Sequence, residues 1–299
     1  EMKIPLSSLR YGENSTQWRV NVYRSDIGNN ITSSWANTPR NQNVAGLAFM
    51  KTLGFEMALP KAKVPIALIP FSSGIVSKDF EENRSASSLS AGGDAKISIG
   101  SGMILDLTLN PDFSQVEVDD QVVNLTRFAI SLPEKRQFFT QNDDLFKDFG
   151  ANNDVTPFFS RRIGVAEDLD GNTIENKIIA GARLSGKLNS NLRIGFLNIL
   201  TDADIANEIP SNLNTVFTLR QKVFNRSNVS FFFIDRRTTE EYDFISKEEE
   251  KNSVTGIEYN LASADSKWNG RVFFHKSYTE GLNEDDIISG AKLQRNTLR

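Results

Sequence analysis

The sequence predicts an all-β fold, an antiparallel transmembrane β-barrel, and three observations predict it. The first is strict in-out alternation. Ile178, Ala180, Ala182, Leu184 and Leu188 take one parity, against Arg183, Ser185, Lys187 and Asn189 on the other. After the turn Asn189-Ser190-Asn191, the residues Leu192, Ile194, Phe196 and Leu200 repeat it. A strand sends successive side chains to opposite faces, so this period marks a sheet between two unlike environments. The second is the connections from Gly164 to Arg299, which alternate between short and long. Strands of ~10 residues joined in that way are the sequence signature of an outer-membrane barrel. The third is that no apolar run approaches the ~20 residues of a spanning helix. A mean hydropathy of −0.35 agrees with a barrel, because half of each strand and all its loops are polar.

The elements follow in chain order. Residues 2–6 and 18–24 read as two strands around a polar hairpin at 11–16. Residues 25–45 are rich in Asn, Ser and Thr, with Trp35 and Pro39 embedded. The segment 46–59 leads to Pro60, Pro65 and Pro70, residues that suit sheet edges or entry into a new domain. Two domains are therefore expected, 1–60 and 61–299. Candidate strands in the second lie at 65–77, 91–99, 103–110, 121–131, 157–165, 177–188, 192–201, 212–224, 228–237, 252–262, 267–277 and 286–298. Tight turns fall at Gly100-Ser101-Gly102, 189–191, 225–227 and 263–266, and Gly92-Gly93 also reads as hairpin glycine. Long connections fall at 166–176, 202–211, 238–251 and 278–285. Short turns are expected to be periplasmic and long loops extracellular.

Two stretches, 110–121 and 132–157, break the pattern. The second holds Pro133-Glu134-Lys135-Arg136-Gln137-Phe138-Phe139 and Asn142-Asp143-Asp144-Leu145-Phe146. A long connection inside a regular fold is functional or disordered. Its mixture of charges and paired phenylalanines favours order, and it is expected to plug or constrict the lumen.

Composition narrows the function. A net charge of −4 and a pI near 5.3 argue against nucleic acid. With no cysteine and one histidine, His275, disulfides, thiolate metal sites and a His–His acid–base pair are excluded. No G-x-S-x-G, Walker or dinucleotide fingerprint is present, so no cofactor is expected. Glu167-Asp168-Leu169-Asp170-Gly171-Asn172 has the look of a calcium loop. No closing glutamate follows, and strands flank it, so Asp170-Gly171 reads as a turn and no metal is expected. His275 reads as an interface or lumen residue.

Four blocks carry a resemblance. They are Asn110-Pro111-Asp112-Phe113-Ser114-Gln115-Val116-Glu117-Val118-Asp119, Val123-Asn124-Leu125-Thr126-Arg127-Phe128, Pro133–Phe139, and Phe158-Phe159-Ser160-Arg161-Arg162-Ile163-Gly164. In this order they resemble an uncharacterised Gram-negative envelope family. In that family a family-nine-like carbohydrate-binding module precedes a domain-of-unknown-function β-barrel. Residues 1–10 and 18–24 resemble the closing strands of the module, a β-sandwich. The resemblance implies an incomplete barrel whose module lies mostly upstream. The opening Glu1-Met2-Lys3-Ile4-Pro5-Leu6 reads as mid-strand, and Asn296-Thr297-Leu298-Arg299 lacks a terminal aromatic. Both ends are thus expected to continue in a longer, exported protein. The chain departs from the family at Gln137, where proline is usual. It departs again at Gln141-Asn142, where a glutamate followed by a small residue is common.

The candidate ligand or lumen-network residues are Asp112, Glu117, Asp119, Arg127, Glu134, Lys135, Arg136, Asp143, Asp144, Arg161 and Arg162. A glycosidase needs two carboxyls ~5–9.5 Å apart, but charge pairs lining a polar lumen account for the same residues, so no catalytic residue is assigned. Trp18 and Trp35 are sugar-stacking candidates. The expected function is a non-enzymatic outer-membrane protein of a Gram-negative bacterium. It would be a structural or accessory subunit of an envelope complex, or a glycan-linked channel. The expected partners are the lipid bilayer, other outer-membrane proteins or lipoproteins, and glycan. The alternatives are a surface-glycan hydrolase and a soluble β-rich carbohydrate-binding protein.

Overall fold

The computed structural model describes the chain apart from residues 1, 2, 5, 7, 8, 10, 13, 40–43, 45, 47, 48, 61–65, 80–83, 101, 112–133, 152–154, 172, 266, 283–285 and 296–299. The structure is all-β, with 57% strand against 9% helix among the described residues. It divides into two compact units, Glu1–Val64 and Pro65–Arg299.

In the first unit β1 (Gln17–Val20) pairs antiparallel with β4 (Lys51–Gly54), and β2 (Tyr23–Asp26) with β3 (Ile31–Ser34). The expected pairing of 18–24 with 2–6 is replaced: the partner of Trp18 is Leu53. The reason is visible in the side chains. Trp18 packs edge-on to Phe55 at 5.0 Å, just after β4, and tilts against Tyr11 at 5.5 Å, which holds β1 against β4. Asn21 ties the unit together. It donates to Val44 O and accepts from the Ala36 backbone N–H.

The second unit holds one ten-stranded antiparallel sheet. Its strands are β5 (Ile66–Asp79), β6 (Arg84–Ile99), β7 (Met103–Leu109), β10 (Ile178–Lys187), β11 (Leu192–Thr201), β12 (Asn212–Val223), β13 (Ser227–Thr238), β14 (Lys251–Ala262), β15 (Trp268–Thr279) and β16 (Asp286–Arg295). Each strand pairs with the next in this order. A separate hairpin, β8 (Val165–Glu167) with β9 (Thr173–Glu175), lies in the connection before β10. Among the described residues the sheet does not close, since β5 and β16 each pair on one side only.

Register sorts the residues into two faces. One row runs Met103, Gly186, Ile194, Leu219, Phe231, Ile257, Phe274. A row of the opposite parity runs Lys96, Asp106, Arg183, Leu197, Val216, Ile234, Val254. The first, outer face is apolar and largely uncovered: Ile257 is 54% exposed and Phe274 45%. The second, inner face carries most of the sheet's charge and is largely buried.

Several expectations need correction. The stretch expected as a strand at 157–165 is none before Val165, where β8 begins: Ser160–Arg162 forms a 3-10 turn, because Phe158 and Ile163 are drawn into an apolar cluster rather than alternating. Gly92 and Gly93 lie inside β6, opposite Phe71 and Pro70. A Cβ on Gly92 would come within 2.6 Å of the Leu109 and Asn110 carbonyls and the Phe71 ring, so close approach explains this glycine. β6 begins at Arg84 rather than 91, because Ser-rich Arg84–Ser90 has little apolar alternation to reveal it. A register shift between Ile178 and Ala180 turns Ile178 to the inner side, where it joins the cluster with Phe139 and Leu197. The candidate strand 121–131 lies outside the described residues.

Candidate functional site

The described part of the connection between β7 and β10, from residue 134 on, folds back across the inner face. Its frame is a buried fork. Arg136 donates Nε to Glu134 Oε1 at 2.8 Å and Nη2 to Oε2 at 2.8 Å. The same guanidinium donates to Ile163 O (2.6 Å) and Ser160 O (2.8 Å), and the Ser160 hydroxyl donates to Glu134 (2.7 Å). One arginine thus closes residues 134–163 into a loop. Planar bidentate donation is a geometry that lysine cannot supply. Burial pushes the Glu134 carboxyl up, but the Arg136 and Ser160 bonds and the guanidinium charge outweigh it and hold it below its ordinary 4.5.

Within this frame lie α1 (Gln137–Thr140) and α2 (Asp144–Lys147). Four-residue helices are far too short to be stable alone, so packing must hold them. Phe139, Leu145, Phe146, Phe158 and Ile163 form one cluster with Ile178, Leu197, Ile199 and Val216 of the sheet. Further along, Phe149 meets Phe232 at 4.7 Å. Arg183 reaches up from β10 to the Phe138 carbonyl, and Asn142 donates to Ser185 at 3.1 Å.

A charge ladder runs beside the cluster. Arg193 of β11 grips Asp144 through two bonds of 2.6 and 2.9 Å. Arg220 of β12 reaches Asp144 at 3.3 Å and Asp148 at 3.4 Å. Arg271 of β15 reaches Asp148 at 2.7 Å and Gly150 O at 2.7 Å. The order is therefore Arg193, Asp144, Arg220, Asp148, Arg271. Burial pushes the Asp144 carboxyl up, but the Arg193 bonds and the charges of Arg193 and Arg220 prevail and hold it below its ordinary 3.8. Behind the last rung His275 Nε2 sits 2.8 Å from Glu258 Oε1, and the Gly150 N–H donates to the same oxygen at 2.6 Å. His275 and Glu258 are 2% and 1% exposed. Phe232 and Phe273 flank the imidazole.

The candidate residues are distributed unevenly over this site. Glu134 and Arg136 form the fork, Asp144 is a rung of the ladder, and Asp143 pairs with Lys147 on the α2 flank. Lys135 is exposed beside the fork, and Arg161 and Arg162 ride the 3-10 turn. Arg162 lines a cavity of about 270 Å³ with Asn176, Glu208 and Arg236. Asp112, Glu117, Asp119 and Arg127 lie outside the described residues. In the first unit, Trp18 is half-buried against its two rings, whereas Trp35 is exposed with Lys51 Nζ 4.6 Å over its face. Asp168–Gly171 forms a turn, its Asp168 carboxylate accepting from the Asp170 N–H.

Sequence reasoning did not single out Asp148, Arg193, Arg220, Glu258 and Arg271. For the four in strands the signal was present: Arg193, Arg220, Glu258 and Arg271 fall on the polar parity of strands whose alternate residues are apolar, whereas Asp148 lies in the loop, where no such pattern marks it. A family model described as a domain of unknown function (DUF5916) matches residues 62–297. The match says nothing of an outer membrane or a carbohydrate-binding module. No curated protein and no solved structure matches the chain.

Proposed function

This chain belongs to the DUF5916 family, and we propose that its second unit is an outer-membrane β-barrel in which the 134–163 loop plugs the lumen. One observation carries the reading. The sheet buries its charged face under a loop and leaves its apolar face uncovered. In a water-soluble protein the burial preference runs the other way, and exposed apolar patches of this extent mark a membrane or partner surface. A bilayer satisfies the outer row from Met103 to Phe274, while the backbone groups stay paired within the sheet. Trp268, with Arg295 5.6 Å over its ring, and Tyr278 sit near opposite ends of β15. Those are the positions that an interfacial aromatic girdle occupies.

The role we infer is non-enzymatic: a structural or accessory envelope subunit, or a glycan-linked channel whose first unit is the end of a carbohydrate-binding sandwich. The carboxylates on the inner face support this. Glycoside hydrolysis needs one carboxyl held protonated, whereas Glu134 and Asp144 are held ionised by arginine. The test is reconstitution of the full-length protein in a planar bilayer and in liposomes. The plugged barrel inserts, resists protease across its strands, and conducts poorly. Recovery as a water-soluble monomer without detergent sinks the membrane assignment, and high single-channel conductance sinks the plug.

A further inference from the structure

The ladder has a feature that packing does not require. Arg193 and Arg220 are direct cross-strand partners on the inner face. Arg271 and Lys292 are likewise direct partners on that face. Like charges directly opposite one another destabilise a sheet. Two such pairs on one face are tolerable only with anions between or beside them. Glu258 of β14 lies 3.7 Å from Arg271, but the closer anions, Asp144 and Asp148, both come from the covering loop rather than from the strands. The carboxylates are 44% exposed, while their arginine partners are 13–26% exposed. The basic groups are therefore the built-in part, and water reaches the acids. A cavity of about 420 Å³ opens at the last rung, lined by Asp148, Arg271, Lys292, Asn260, Asn269 and Gln294. It adds amides and a second cation beside Arg271.

We propose that Arg193, Arg220, Arg271 and Lys292 form a binding row for an oligocarboxylate, and that Asp144 and Asp148 occupy this row in the ligand's place. Guanidinium groups recognise carboxylates by paired donation, and the two aspartates show that spaced carboxylates fit. The cavity at the Lys292 end gives a chain room to enter and displace Asp148 first. The site is defined by the inner face of the sheet, so it does not depend on closure or membrane insertion.

The experiment is calorimetric titration of the detergent-solubilised full chain. The probes are trigalacturonate, a chain of carboxylates, and citrate, a compact one, with neutral maltotriose as the control. Either acid binding in preference to maltotriose supports the row, and the preferred acid identifies its source. The Asp144→Asn, Asp148→Asn double variant should bind the acids about tenfold more tightly, the equivalent of one lost competing hydrogen bond. Adding Arg193→Gln and Arg220→Gln should abolish that gain. Hydrogen exchange on the unaltered protein provides an independent reading if the variants do not fold: the acids should accelerate exchange at amides 144–151. Equal binding of maltotriose overturns the proposal. So does a folded double variant with no gain in affinity, or unchanged exchange at saturating acid.

Discussion

Phe231 and Phe232 are neighbours in the chain with opposite fates: the first is 38% exposed, the second 0%. Phe232 lies among Phe149, Gly256 and His275. Phe231 stands in the outer row beside Leu219 and Ile257. The same contrast holds from β10 to β15, whereas in β5 and β16 both faces are exposed. The inner face is a buried interior built around charges, and the outer face leaves its apolar side chains uncovered. Hydrophobicity alone therefore does not decide burial here. What a face is packed against decides it.

The largest expected effect of that contrast is at this pair. Phe232→Ala should cost about 3–5 kcal/mol, because it empties a closed site, whereas Phe231→Ala in detergent or bilayer should stay within about 1 kcal/mol. Urea unfolding from lipid vesicles measures both, and equal costs would erase the distinction between faces. Next is Ala182→Arg on the outer face, which should cost roughly 2–4 kcal/mol in a bilayer. The same substitution should be nearly silent if water rather than lipid covers that face. Gly181, its inner neighbour, gives a sharper comparison. A Cβ there would lie 2.9 Å from Thr108 Cγ2 and 3.2 Å from the Phe138 ring. Gly181→Ala should thus destabilise by about 1–3 kcal/mol through overpacking, a contrast with Ala182→Ser that thermal melts would resolve.

The smallest effect is on pH. Glu134 and Asp144 are held below their ordinary values of 4.5 and 3.8. Each binds its proton less readily when folded than when unfolded. The stability they lend is full above those ordinary values and disappears as pH falls through the lowered ones. Asp144 is half exposed, so its share is discounted to about 1 kcal/mol or less. Between about pH 5 and pH 2, amides of 134–151 should lose exchange protection before those of β11–β13. Simultaneous loss would mean that the loop and sheet titrate as one body.

Much of this architecture was legible from residues in order. Alternation such as Leu192, Ile194, Phe196 marks β11 and its outer face without reference to any neighbour, because side-chain direction in a strand is a property of the backbone alone. The turn at Asn189-Ser190-Asn191 is equally local: the Asn189 carboxamide oxygen accepts from the Asn191 and Leu192 N–H groups. The paired phenylalanines of 132–157 likewise pointed to an ordered loop. In contrast, nothing local announces that Arg220 meets Asp144 across 76 residues, or that Arg271 meets Asp148 across 123.

The sequence by itself determined the strand positions from β10 to β16, the apolar parity of the outer face and the absence of a spanning helix, since each depends on spacing and composition within a few residues, but not the 3-10 turn at Ser160–Arg162 or the start of β6 at Arg84. Only the tertiary structure decided which residues oppose which across the sheet. A single irregularity in the β10–β11 pairing moves Ile178 from the expected outer set into the core with Phe139. Register also sets Arg193 against Arg220, and the folded-back loop then places Asp144 between them. Such pairings depend on hydrogen-bond register and on the course of a long connection, and short-range sequence carries no record of either.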